Sequence, residues 1–199
     1  MYKEHVPLIR DYALNNGNSG LDNLFYFVLG SIRTQFLQLP AITYSIIKEG
    51  AGSRHIWGNK ITAYTDWQNQ DRSSLLKDIE SASTCTVELS QRIAGIRGIG
   101  ITKASFLLQL LGRDTACLDV HNLKALGLNY KTFKNPKKAQ EYYETVNKQG
   151  SEYFWDSWCE LIANKNPKHF SDANEVSKAH LDIINGTVTE TFKKKELIQ

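Results

Sequence analysis

The chain has 199 residues, 41% hydrophobic and 23% charged, with a formal net charge of +3. That length can bury a real core in one unit of two small lobes, and the slight positive balance permits an anionic partner while excluding a protein that grips nucleic acid by charge alone. The three cysteines, Cys85, Cys117 and Cys159, form no CxxC pair, which excludes a disulfide framework and a four-cysteine iron–sulfur cluster, and no stretch reaches the ~18 apolar residues of a membrane span.

Apolar residues recur at three- and four-residue steps and seldom alternate, which predicts an all-α fold. A first helix is expected over residues 3–14, ended by the turn formers Asn15-Asn16-Gly17-Asn18-Ser19-Gly20. A long apolar helix follows over 21–39. Pro40 kinks or ends it, and a further helix runs to 49. Residues 54–70 hold Trp57, Tyr64 and Trp67 without a stable period and read as loop with at most one short helix. Further helices are expected over 72–81, 87–95, 101–111, 120–126, 136–148, 153–163 and 173–184, with Asn135 capping a first turn that contains Pro136. The run Lys193-Lys194-Lys195 reads as a solvated basic tail. Tyr153, Phe154, Trp155 and Trp158 recur at helical spacing and read as a packing face.

The most informative stretch lies between Ile93 and His121. Gly98 and Gly100 flank one isoleucine in a tight turn that opens directly into an apolar helix. The glycines supply crowded or left-handed backbone, Ile96 and Ile99 pin the turn to two helices, and small Ala104 lets those helices approach. Free N–H groups near Gly98, Gly100 and Thr102 then face an anion, with Arg97 and Lys103 adding charge. A nucleic-acid phosphate suits this geometry. Asp119 follows between Leu118 and Val120. Position alone reads it as the N-cap of the next short helix.

The run Ile96-Arg97-Gly98-Ile99-Gly100-Ile101-Thr102-Lys103-Ala104, followed by Leu118-Asp119-Val120-His121, resembles the helix-hairpin-helix DNA glycosylase superfamily, which includes endonuclease III and the adenine-mismatch glycosylase. There the hairpin reads Leu-Pro-Gly-Val-Gly-x-Lys-x-Ala, and Val-Asp-Val-His or Val-Asp-Thr-His follows about twenty residues later. The resemblance is specific over residues 93–125 and architectural elsewhere. It implies a two-lobed helical fold, with lobe A over 21–81, lobe B over 87–163 containing the hairpin at 88–111, and the terminal helices packed on the lobes. It also implies DNA as partner and Asp119 as the carboxylate that stabilises an oxocarbenium ion on the sugar of a flipped nucleotide. The unpaired cysteines and the lack of an apolar span lead to the expectation of an intracellular, cytoplasmic setting.

Two departures bear on chemistry. Arg97 replaces the usual proline, which loosens the turn and adds a cation toward the DNA. Thr102 stands where bifunctional members carry the lysine that forms an imine, so a monofunctional enzyme is expected. Lys103, one residue on, is expected to point away from the cleft, leaving it a phosphate contact or a minority lyase nucleophile. His121 is expected to pack and hydrogen-bond locally. The resemblance further implies an alkali cation, K+ or Na+, on the backbone carbonyls of Ala94, Ile96 and Ile99. No other cofactor is expected.

The base pocket is sought among Asn23, Tyr26, Arg33, Gln35 and Tyr44, and among His55, Trp57, Asn59, Tyr64 and Trp67, with Tyr26, Arg33, Gln35 and Trp57 the leading candidates. Two other functions compete. One is a phage-type thymine-modifying enzyme, since the same fold occurs in proteins similar to the glutamyl/putrescinyl thymine pyrophosphorylases, which transfer an amino acid or polyamine to modified DNA. The other is a non-catalytic DNA-binding protein that keeps only the hairpin.

Overall fold

The computed structural model describes residues 1–129, 131–133, 135 and 138–186. Among these the chain is all-α, with no strand. Pro136 and Lys193-Lys194-Lys195 lie outside the described residues.

Helix α1 (Tyr2–Asn15) is followed after a single residue, Asn16, by α2 (Gly17–Gly30). The expected six-residue break is therefore one residue wide. Gly17 takes φ +55° to reverse the chain, and a side chain at Gly20 would lie 2.6 Å from the Ala13 carbonyl oxygen, so glycine is what lets α1 and α2 cross. The expected long helix over 21–39 also divides. α2 ends at Gly30, residues 31–35 form an irregular bend, and a short 3-10 turn (Phe36–Gln38) leads into α3 (Leu39–Glu49). Pro40 occupies the first turn of α3, where its missing N–H has no helical partner to lose, so it starts a helix rather than ending one.

Helix α4 (Asn59–Gln68) fills most of the segment expected to be loop. Its inward face is only Lys60, Ala63 and Trp67, too sparse and too polar to register as an apolar period. The remaining helices are α5 (Arg72–Glu80), α6 (Thr86–Ala94), α7 (Ile101–Leu110), α8 (Val120–Ala125), α9 (Ala139–Asn147), α10 (Ser151–Lys165) and α11 (Ala173–Ile184). These follow the expected elements closely, except that α9 begins at Ala139 with Lys138 in the N-cap position, so Asn135 is not its cap.

Packing centres on α7, whose buried residues run almost unbroken from Ala104 to Leu110. A helix apolar on all sides is covered on all sides. One continuous core unites Ile9, Leu24, Leu75, Leu89, Leu107, Trp155 and Ile183, drawn from seven helices that include both terminal ones. A smaller cluster of Ala116, Leu118, Leu123, Tyr142 and Val146 lies behind α8 and α9. Between the two, the segment joining α7 to α8 brings Asp119 to the surface. No described helix is long and apolar enough to cross a membrane.

Candidate functional site

The hairpin between α6 and α7 is anchored as its residue types require. Ile93, Ile96 and Ile99 are buried, Ala104 is fully so, and the Ile99 N–H donates to the Ile96 carbonyl at 2.9 Å. That carbonyl is one of the three expected to hold an alkali cation. Among the described residues no group of three or more His, Cys, Asp or Glu side chains could hold a metal ion.

The two glycines do different work. Gly98 takes φ +90°, and a Cβ there would sit 2.6 Å from the Asn59 carbonyl oxygen, so the turn presses directly on α4. Gly100 has φ −91° and ψ 171°, which any residue adopts, and a Cβ there would meet no atom within 4 Å. Nothing in the fold demands glycine at 100. The N–H groups of Gly98, Gly100 and Thr102 donate to no protein acceptor among the described residues, and α7 has no side-chain cap. These are free donors at the positive end of a helix dipole. Gly98→Ala is therefore expected to destabilise the protein by about 1–3 kcal/mol in urea unfolding. Gly100→Ala is expected to leave stability within about 0.5 kcal/mol in the same measurement, because its methyl meets no atom of the described residues within 4 Å.

Arg97 departs from expectation. Its guanidinium is held by Asp66 of α4, with Nε to Oδ2 at 2.8 Å and Nη2 to Oδ1 at 2.7 Å, and its backbone N–H reaches the same Oδ2 at 3.2 Å. The fork clamps the turn to α4, and Arg97's hydrogen bonds hold the Asp66 carboxyl below the usual carboxylate range. This cation secures the hairpin before it meets any phosphate.

Lys103 also departs from expectation, because its side chain lines the cleft together with Thr102 and Asp119. Nζ donates to Ser31 Oγ at 2.8 Å and lies 5.3 Å from the centre of the Phe106 ring. A second lysine, Lys60, is buried and reaches the Gly30 carbonyl at 3.4 Å. Burial, and then the charge of Lys103, lower its pKa. Both amines thus converge on the C-terminal end of α2, where the helix dipole favours cations. That attraction and the length of the side chain bring Lys103 into the cleft despite its place on the helix.

Asp119 caps α8. Its Oδ1 accepts the N–H groups of His121 at 2.9 Å and Asn122 at 3.0 Å. Oδ2 receives no protein donor among the described residues. The extended segment leading to it has few backbone partners, and three side chains supply them. Gln109 Oε1 accepts the Cys117 N–H, the Tyr142 hydroxyl accepts the Leu118 N–H and donates to the Ala116 carbonyl, and Asn122 Nδ2 donates to the Cys117 carbonyl. Tyr142 is fully buried, so this bracing is rigid. His121 packs against Trp158 with ring centres 5.9 Å apart.

Asp119 borders two adjoining hollows. The smaller, about 380 Å³, runs from Gly100 and Thr102 past Val120 to Phe133. The larger, about 760 Å³, is walled by the bend at residues 31–36, by α7, by Cys117 and Asp119–Asn122, and by Phe154, Trp155, Trp158 and His180. Arg33 and Gln35 line it, and Arg33 holds φ +55°, strained for a residue with a side chain. Burial pushes the Cys117 thiol up to about 12, so it faces the cavity as a neutral group.

Tyr26 and Trp57 do not line this cavity. Tyr26 stacks on Tyr64 with centres 5.6 Å apart and its hydroxyl accepts Gln68 Nε2, while Trp57 lies exposed away from it. Of the other pocket candidates, Trp67 is buried in a stack on Phe25 and Asn23 donates to the Tyr12 hydroxyl. The aromatic walls come instead from Phe27, Phe36, Phe106, Phe154, Trp155 and Trp158. In sequence these are indistinguishable from core, and the first five are indeed largely buried. The positioning residues Gln109 and Tyr142 carry no sequence signal of their own; a single polar residue within the apolar run Phe106–Leu111 is the sole hint of the former.

Compared with protein-family models, with curated proteins and with solved structures, the chain matches none.

Proposed function

We propose that this chain is a monofunctional DNA glycosylase, which hydrolyses the N-glycosidic bond of a flipped damaged, mispaired or modified base. The observation that carries the reading is Asp119: a carboxylate that spends one oxygen on the backbone, keeps the other free, and stands between an anion-binding hairpin and an aromatic-walled cavity. Free amides at Gly98, Gly100 and Thr102 hold a DNA phosphate, and Arg33 and Lys103 add positive charge at the cavity wall. The nucleotide leaves the stack, and its base enters the larger cavity.

The C1′–N bond then breaks, with its electron pair departing on the base, which takes up a proton. Positive charge grows on the deoxyribose beside Asp119, and the fixed carboxylate stabilises it without reorganising. A water oxygen bonds to C1′ and gives up a proton, leaving an abasic site. The deciding assay uses oligonucleotides carrying uracil, alkylated purines, oxidised bases, mismatches or hypermodified pyrimidines, treated with and without alkali. Strand breaks that need alkali are expected on one class of substrate. Binding without base loss on every substrate overturns the reading in favour of DNA modification or a scaffold.

Lys103 supports a second reading, because an amine in the cleft is placed to displace the base at C1′, after which loss of the amine protons and opening of the C1′–O4′ bond give an imine that leads to strand cleavage. Thr102 and the contact with Ser31 weigh against it. Borohydride added during turnover is expected to trap no covalent adduct; an adduct that disappears in Lys103→Ala establishes the lyase.

A further inference from the structure

His180 is fully buried on α11, yet it lines the larger cavity. Its Nδ1 lies 2.8 Å from the Val176 carbonyl, which only accepts, so Nδ1 carries the proton and Nε2 is a bare acceptor. Nε2 is buried and has no hydrogen-bond partner among the described residues. With Nδ1 turned back to its own helix, the opposite edge of the ring faces away from it, among Phe27, Phe36 and Trp155, whose ring centres lie 5.7, 4.8 and 4.7 Å from that of the imidazole. All three also line the cavity. Burial is what keeps the imidazole neutral at physiological pH. An orphaned buried acceptor costs stability, and its place in a cavity wall gives it a use.

We infer that His180 reads the bound base, accepting a ring N–H of an imide- or lactam-type nucleobase, the class of uracil, thymine derivatives and hypoxanthine. The aromatic rings suit a planar heterocycle. The other polar groups on the wall favour the same class. Arg33 and Lys103 are pure donors and Gln35 carries an amide N–H, so the wall that holds the imidazole acceptor also holds donors, with the Asp119 carboxylate a second acceptor. An imide edge, in which one N–H lies between two carbonyls, complements an imidazole acceptor on a wall that also carries such donors. This inference rests on the reading of the larger cavity as the base pocket, and it requires no bond cleavage.

The test uses the full chain without DNA and two probes, 1-methyluracil and 1,3-dimethyluracil, which both block the nitrogen that would carry the sugar and differ only in the N3–H. Titrations followed by NMR should show 1-methyluracil binding about tenfold or more tightly than the dimethyl compound, since the latter leaves the buried acceptor unmatched. The 15N resonance of His180 Nε2 should shift with the first probe only. His180→Phe, which keeps an aromatic ring in the space, should erase the difference between probes. Equal binding of both probes, an unmoved Nε2 resonance, or no binding of either at millimolar concentration overturns the inference. Excision by the enzyme with no dependence on His180 also overturns it and leaves the glycosylase reading standing, whereas selective N–H binding without excision on any DNA does the reverse.

Discussion

Asp119→Asn is expected to reduce base excision by about 10³-fold while leaving the fold and DNA binding intact. The separation is possible because the two oxygens of Asp119 have different tasks. Oδ1 caps α8 by accepting the His121 and Asn122 N–H groups, and an asparagine oxygen accepts the same bonds. Oδ2 is the free one, and the substitution replaces its charge with an amide that cannot stabilise an oxocarbenium ion. Asp119→Ala loses the cap as well, at about 1 kcal/mol of stability. Single-turnover excision and urea unfolding, measured side by side on the three proteins, separate the roles. DNA binding should be unchanged or slightly tighter in Asp119→Asn, since the carboxylate repels phosphate. An Asp119→Asn enzyme that excises at the wild-type rate removes Asp119 from the chemistry.

The largest expected effect on stability is an acid one. Burial lowers the pKa of His180 from its ordinary 6.5 to about 4, with a smaller push from His5 and an opposing one from the contact with the Val176 carbonyl. Between those two values the unfolded chain binds a proton that the folded chain does not. Stability therefore falls as pH drops through 6.5, continues to fall to about 4, and is flat with respect to this group below that. The total is about 3 kcal/mol. His5, also lowered chiefly by burial, acts in the same direction. In His180→Phe the His180 contribution disappears, so urea unfolding at pH 7, 5.5 and 4 should show a shallower acid decline than wild type. At pH 7 the variant should be at least as stable, because the orphaned Nε2 is gone. Parallel curves for the two proteins would mean that His180 takes up its proton inside the fold.

Most of the helical fold is legible in the chain because α5, α6, α7, α10 and α11 each carry apolar residues at helical spacing, and Asp71 and Asp172 cap α5 and α11. α4 was not legible, since Ala63 and Trp67 are its only apolar inward residues and its value to the fold lies in what rests on it: the backbone of Gly98 and the side chain of Arg97. The bend at 31–35 is hidden because Ile32, Phe36 and Leu39 continue the helical spacing of Leu24 and Val28 across it, and Pro40 is ambiguous because a proline fits both the end of one helix and the start of the next.

The sequence by itself determined the all-α class, the hairpin with its glycines and isoleucines, and Asp119 as a helix cap, since each depends on residues within a few positions of one another. Only the tertiary structure decided that Arg97 is held by Asp66, that Lys103 turns into the cleft toward the end of α2, and that Phe27, Phe36, Trp155 and His180 meet around one cavity. Those contacts join residues 25 to 153 positions apart. What brings them together is the burial of α7 on every side, which local periodicity records as apolar without recording which helices will cover it.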